Sequence, residues 1–168
     1  DEVRGRQSVR TLAERLHGLP GVEGISLASS VPFGRRDWRD VGRAGVAPAA
    51  EAMAESAVMG KSFGTDYNVI GADYFRTIRL PLAKGREFNA SELEPGSASS
   101  AAIIDQELAL WLWPGEEALG RQLQIGGGAK GESPRVLVVV GIVPTLRNSI
   151  IEPKPVPPDL DYEMWLGP

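Results

Sequence analysis

The sequence predicts an α+β (mixed α/β) fold. Two observations carry this. Helical periodicities and short apolar strand runs alternate irregularly along the chain, and several strand runs come as hairpin-like pairs. No internal repeat is present.

The elements follow in order. "SVRTLAERLHGLPG" reads as a helix, with Val9, Leu12, Ala13, Leu16 and Leu19 on one face. Ser8 is its expected N-cap, and Gly18, Pro20 and Gly21 stop it. Val22, Ile25, Leu27 and Val31 then predict a strand. Phe33 to Ala50 reads as a polar, Gly- and Arg-rich connection. "AESAVMGKSF" and "TDYNVIG" look extended. Asp73 to Ile78 reads as a short helix, with Tyr74, Phe75 and Ile78 as its anchoring face. It stops before Pro81. "AKGREFN" is a short strand and turn, and Glu92 to Ser99 a loop. "SAAIID" is a buried strand. Gln106 to Trp113 is a helix ended by Pro114 and Gly115. "GRQLQIG" and "RVLVVVGIV" form a hairpin around glycines. "EPKPVPP" is a linker, and "DYEMWLG" a last strand.

Composition bounds the function. The chain has 168 residues, 42% of them apolar, which suffices for a real core. A net charge of −4 gives no bulk attraction to nucleic acid. With no cysteine, disulfides and thiolate metal sites are excluded. His17 is the single histidine, so no multi-histidine metal site can form. It sits near a helix end, where a histidine usually serves the dipole. No apolar run approaches the ~20 residues that span a bilayer. The abrupt start at Asp1 fits a soluble piece of something larger.

Several motifs invite a catalytic or binding reading. "GGGAKG", Gly126 to Gly131, matches the dinucleotide pattern G-x-G-x-x-G. That motif needs a helix next, and a strand follows. "GKS", Gly60 to Ser62, lacks the earlier glycine of a phosphate loop, because Glu55 stands there. "RRDWRDVGR" sets arginines around Trp38, yet Asp37 and Asp40 offset half the charge. It reads as a solvated loop. Glu116 with Glu117, and Glu92 with Glu94, are paired carboxylates in polar turns. Acid–base work would need them to converge on one cleft. Asp73, Asp105 and Glu107 form no calcium loop. No serine stands in G-x-S-x-G. The expectation is no catalytic, cofactor-binding or metal-binding residue.

Five blocks, in order, resemble the periplasmic core domain of MacB-type ABC transporter permeases, within the FtsX-like permease family. They are "LAERLHGLPGVEGISLASSVPFG", "IGADYFRTIRLPLAKGREFNASE", "AAIIDQELALWLWPGEEALGRQLQIG", "VLVVVGIV" and "EPKPVPPDLDYEMWLGP". In the second, Tyr74, Phe75, Pro81, Gly85, Arg86 and Phe88 stand at the family's signature positions. In the third, Trp113, Pro114, Gly115, Glu116, Leu119, Gly120 and Arg121 do so. Asp105 stands where asparagine is usual, and Pro144 where glycine is usual.

The resemblance implies a two-lobed periplasmic domain. Residues 1–85 with 148–168 would form a porter-like lobe, and 86–147 a smaller inserted Sabre-like lobe. It implies a non-catalytic part of an inner-membrane permease, flanked by membrane helices and driven by a cytoplasmic ATPase on the same or another chain. Efflux or envelope transport is the implied activity. A periplasmic adaptor, an outer-membrane channel, cargo and a permease dimer are the implied partners, with no nucleic acid. The alternative is a stand-alone periplasmic ligand-binding or sensor domain.

Overall fold

The structure, a computed structural model, describes residues 2–30, 37–46, 63–93, 100–126, 133–145 and 163–166. The expected extended run from Ala54 as far as Ser62, the glycine run after Gly126 and the proline-rich linker lie outside these residues.

The elements are α1 (Glu2–His17), β1 (Asp37–Arg43), β2 (Phe63–Val69), α2 (Tyr74–Thr77), β3 (Lys84–Gly85), a 3-10 turn (Ala90–Glu92), β4 (Ala101–Asp105), α3 (Gln106–Leu112), β5 (Gln122–Ile125), β6 (Arg135–Val143) and β7 (Glu163–Leu166). The fold is mixed α/β. The strands pair in the order β3-β6-β4-β7-β2-β1-β5, and β5 also bonds β6. Six strands therefore form a closed circuit of pairings, with β3 attached beside β5 on the same edge of β6. Two pairings are parallel, β2 with β7 and β4 with β6. The others are antiparallel.

Two apolar clusters hold the sheet. On one face α3 supplies Leu108, Ala109 and Leu112, which meet Val41, Ala102, Ile104, Leu123, Leu137, Val139, Ile142 and Met164. On the other face α2 supplies Tyr74 and Phe75, which meet Ile103 and Val143. All five residues of β4 are buried because helices cover both its faces. This explains why "AAIID" is a continuous apolar run rather than an alternating one.

A bulge in β6 lets that strand serve both clusters. Ala102 pairs with Val139, but Ile103 pairs with Gly141, so Val140 is the extra residue. Before the bulge Leu137 and Val139 face the α3 cluster; after it Ile142 does, and Val143 turns to the α2 cluster. One inserted residue shifts which parity points to which face.

Four expectations are corrected. Ser8 does not cap α1, which begins at Glu2 and runs through it. Glu2, Arg4, Arg6 and Gln7 favour helix and carry it upstream of Ser8 through Gly5, without adding apolar periodicity. The strand expected from Val22 to Val31 reduces to one bridge, Ala28 to Ile70. Among the described residues no second neighbour flanks it to complete a ladder. The connection from Phe33 to Ala50 contains β1, so the loop reading of "RRDWRDVGR" is overturned. Arg39 and Arg43 share a strand face with the fully buried Val41, and their charge hides the alternation. Ile78 is not an anchor of α2. It is 37% exposed, because the helix ends at Thr77 and Arg79 takes a left-handed φ of 57°. The Leu80 amide then bonds back to the Phe75 carbonyl, and Leu80 joins the cluster instead.

Candidate functional site

The thirteen signature residues sit in two segments, and both segments converge on β6. From the first, the Ala83 amide donates to the Ile142 carbonyl at 2.7 Å, and the Arg86 amide to the Val140 carbonyl at 3.0 Å. From the second, the Gly120 amide donates to the Val139 carbonyl at 2.8 Å. The Val139 amide returns a bond to the Arg121 carbonyl at 2.9 Å. The extra residue of the bulge is thus held from the β3 side.

Glycine is required where β3 crosses β6. Gly85 has a φ of 78°, and a Cβ there would overlap the Val140 carbonyl oxygen and lie 2.8 Å from Leu119 Cδ2. Gly141, opposite it, would put a Cβ 2.6 Å from the Arg86 carbonyl oxygen and 3.2 Å from Ile103 Cγ1. The two glycines let backbone pack on backbone.

Tyr74 and Phe75 are buried, with rings edge to face at a centroid distance of 5.3 Å. Phe88 packs half-buried on the same cluster, and Pro81 is exposed in the turn that leads there. Trp113 is buried as the C-cap of α3. Pro114 and Gly115, the latter at a φ of 75°, turn the chain beyond it. The Asp105 carboxylate caps the other end of α3, accepting from the Leu108 amide at 2.7 Å. Asparagine caps equally well, so this departure from the family pattern leaves the cap intact.

Arg86 makes a bidentate pair with Glu92, both bonds at 2.8 Å. Glu92 also closes a capping box with Asn89. It is therefore structured and not part of the loop expected from Glu92 to Ser99. The spacing "NASE" is itself a capping-box signal. Glu116 and Glu117 meet cations rather than water alone. Glu117 bonds Lys84 at 2.7 Å, and Glu116 bonds Arg121 at 2.5 Å with Arg43 at 4.0 Å. Arg43 Nε also donates to the Leu112 carbonyl, at the negative end of α3. No local sequence signal announces that contact from β1.

Two neighbouring glutamates titrate in opposite directions. The Arg86 hydrogen bond holds the Glu92 carboxyl below the usual carboxylate value, against a smaller opposing effect of burial. Burial raises the Glu87 carboxyl, the charge of Asp73 adds to this, and Arg76 opposes both. The stability from Glu92 is present above its unfolded pKa of about 4.3 and is lost as pH falls through the lower folded value. The contribution of Glu87 is present when it is protonated and is lost as pH rises through its raised folded value. Glu92→Gln keeps the capping box but loses the charge pair. At pH 7 it should lower Tm by about 2 °C, for a partly exposed pair of about 0.5–1 kcal/mol. Glu87→Gln should raise Tm by a similar small amount. Both differences should shrink in thermal scans at progressively lower pH, that of Glu87 first and that of Glu92 only once the pH falls through its lowered folded value.

Among the described residues no group of three or more His, Cys, Asp or Glu could hold a metal ion. His17 closes α1 and is exposed. Asp73, Asp105 and Glu107 are not brought together as ligands: Asp73 lies before α2, while Asp105 and Glu107 belong to α3. β6 follows the described end of the glycine run as an antiparallel partner of β5, with Ile125 opposite Arg135. A phosphate-binding helix would have to start there instead.

Both signature segments thus bond to β6. A model of the MacB-like periplasmic core domain matches residues 6–156. The chain belongs to that family. Its fold is similar to the periplasmic region of MacB from Actinobacillus actinomycetemcomitans, with a TM-score of 0.58 and 14% identity over 94% of this chain and 54% of that one. It is also similar to the extracellular domain of the noncanonic ABC-type transporter YknZ from Gram-positive bacteria. There the TM-score is 0.53 and the identity 19%, over 92% of this chain and 59% of that one. The MacB-like chain thus spans little more than half the length of these solved relatives. No curated protein sequence matches it.

Proposed function

We propose that this chain is a non-catalytic extracytoplasmic domain of an ABC-type permease. It sits on the periplasmic side of a bacterial inner membrane and couples a cytoplasmic ATPase cycle to efflux or envelope transport. The observation that carries this reading is the span of the family match, which takes in all thirteen signature residues. The fold agrees with the family match, because both signature segments make backbone bonds to β6. Coupling of this kind is rigid-body or hinge motion set by a distant site.

The ATPase is the partner on the cytoplasmic side, as a domain or a subunit. On the periplasmic side an adaptor, an outer-membrane channel or cargo would make contact, and the permease would work as a dimer. The two lobes, 1–85 with 148–168 and 86–147, are proposed with one physical condition. β5 bonds β1 and β4 bonds β7 across those boundaries. The lobes would therefore move by flexing a common sheet rather than by parting.

No helix among the described residues is long and apolar enough to cross a membrane. The reading places membrane segments elsewhere in a longer gene product. That product should fractionate with membranes and require detergent for extraction. Calorimetry of the purified 168-residue chain with ATP should give no binding heat. Recovery of the full product in the soluble fraction, or micromolar ATP binding by the chain, overturns the proposal.

A further inference from the structure

The chain that follows α1 meets the sheet at the end of β2, and the bonds it makes there pass from backbone to side chain. They begin as an ordinary antiparallel bridge. The Gly71 amide donates to the Leu27 carbonyl and the Ser29 amide to the Val69 carbonyl, both at 2.8 Å, on either side of the bridge between Ala28 and Ile70. Ser29 and Val69 face each other next, and such a pair ordinarily exchanges two backbone bonds. Here the Val69 amide donates instead to the Ser29 hydroxyl, at 3.1 Å.

One residue further on, side chain replaces backbone on the β2 side altogether. The Ser30 amide donates to Asn68 Oδ1 at 3.0 Å, and Asn68 Nδ2 donates to the Ser30 carbonyl at 2.8 Å. The Ser29 hydroxyl donates to the same Oδ1 at 2.9 Å. A carboxamide carries the donor and the acceptor of a peptide group. Asn68 therefore offers Ser30, through its side chain, what a strand residue offers through its main chain. Its own main chain lies opposite Trp165 of β7. A backbone ladder tolerates almost any sequence, but this one depends on two side chains.

Burial does little to reinforce the seam. Leu27, Ala28 and Ser29 are exposed, and the bonds of the Ser29 hydroxyl lie at the surface. Upstream, Glu23 pairs with Arg79 at 2.7 Å, with side chains 80% and 79% exposed. Such a pair contributes little. β2, by contrast, belongs to the closed circuit of strands, and Ile70 at its end is buried. A segment held by exposed hydrogen bonds opens at a lower free energy than a buried core.

We infer that Ser29 and Asn68 form a latch, and that residues 27–30 open from β2 when it releases while the circuit of strands stays intact. α1 is joined to the sheet through this segment, so the latch sets whether a displacement of the helix reaches β2. In a permease that displacement would come from a membrane segment. This last consequence rests on the permease reading; the latch itself does not.

Hydrogen exchange of the full gene product, in detergent where extraction needs it, tests the latch at single residues by electron-transfer fragmentation. In the unaltered protein the Ser29 and Gly71 amides should exchange at least about tenfold faster than the amides of β4 and β6. Asn68→Ala should speed both by about tenfold more and leave β4 and β6 within about twofold. Neither reporter amide donates to Asn68, so the change reads opening of the seam rather than loss of the reporter's own bond. Ser29→Ala should speed Gly71 likewise, and it carries the test if Asn68→Ala fails to fold. Ser29 and Gly71 exchanging as slowly as β4 and β6 in the unaltered protein overturns the separate opening. Unchanged rates in a folded variant overturn the latch. An equal rise in every strand makes the two residues contributors to global stability only, which overturns it too. A product recovered in the soluble fraction fails the permease reading and leaves each of these outcomes as it stands.

Discussion

Gly85→Ala should lower Tm by about 10 °C, while Gly120→Ala lowers it by about 3 °C. Both glycines hold a left-handed φ, 78° and 76°. An alanine at either position therefore pays the same conformational strain of about 1 kcal/mol. Only Gly85 faces a second cost. Its new Cβ would overlap a carbonyl of β6 and crowd Leu119 and the Gly141 Cα. Two of those neighbours are backbone and cannot swing aside, so β3 must lift from β6. Overpacking of this kind adds about 1–3 kcal/mol. At about 2–4 °C per kcal/mol for a chain of this size, the total gives the stated drop. Nothing lies within 4 Å of a Cβ built on Gly120. Thermal and urea unfolding measured side by side check the contrast. Equal losses would mean that β3 does not approach β6 as closely as described.

Phe75→Ala should cost about 3–5 kcal/mol, the range for removing a buried aromatic ring. Phe75 is fully buried between Tyr74, Ile103 and Val143, on the face of the sheet that α3 does not cover. Because α2 has only four residues, it cannot stand without this anchor. The urea midpoint should fall with the slope unchanged. Ile78→Ala should shift it little, since Ile78 is substantially exposed. Periodicity alone places Ile78 beside Tyr74 and Phe75. A large loss at Ile78 would restore that assignment.

The parts of the fold legible in the sequence are those specified locally. α3 starts at Gln106, Trp113 to Gly115 ends it, and β5 returns against β6. Each depends on residues close in the chain, where composition and spacing carry the signal. Three features were not legible, each for its own reason. β1 conceals its buried face because arginines flank Val41 on that side. The bulge in β6 leaves no trace in "VLVVVGIV", where neighbours on both sides are apolar and a parity change alters nothing visible. The pairing of β2 with β7 joins Asp66 to Glu163 and has no local code at all. As for the candidate site, its residues are marked in the sequence only by family resemblance. Only the close approach of β3 to β6 explains physically why glycine stands at position 85.

The closed circuit of strands has a mechanical meaning. An open sheet under tension can be peeled from an edge, one hydrogen bond at a time. A ring offers no such starting point for its six members, because every one of them has neighbours on both sides. Tension applied along β7 would load its parallel bonds to β2 and its antiparallel bonds to β4 together, in shear. The ring would deform as a hoop, sharing the load around its circumference, before any single strand came free.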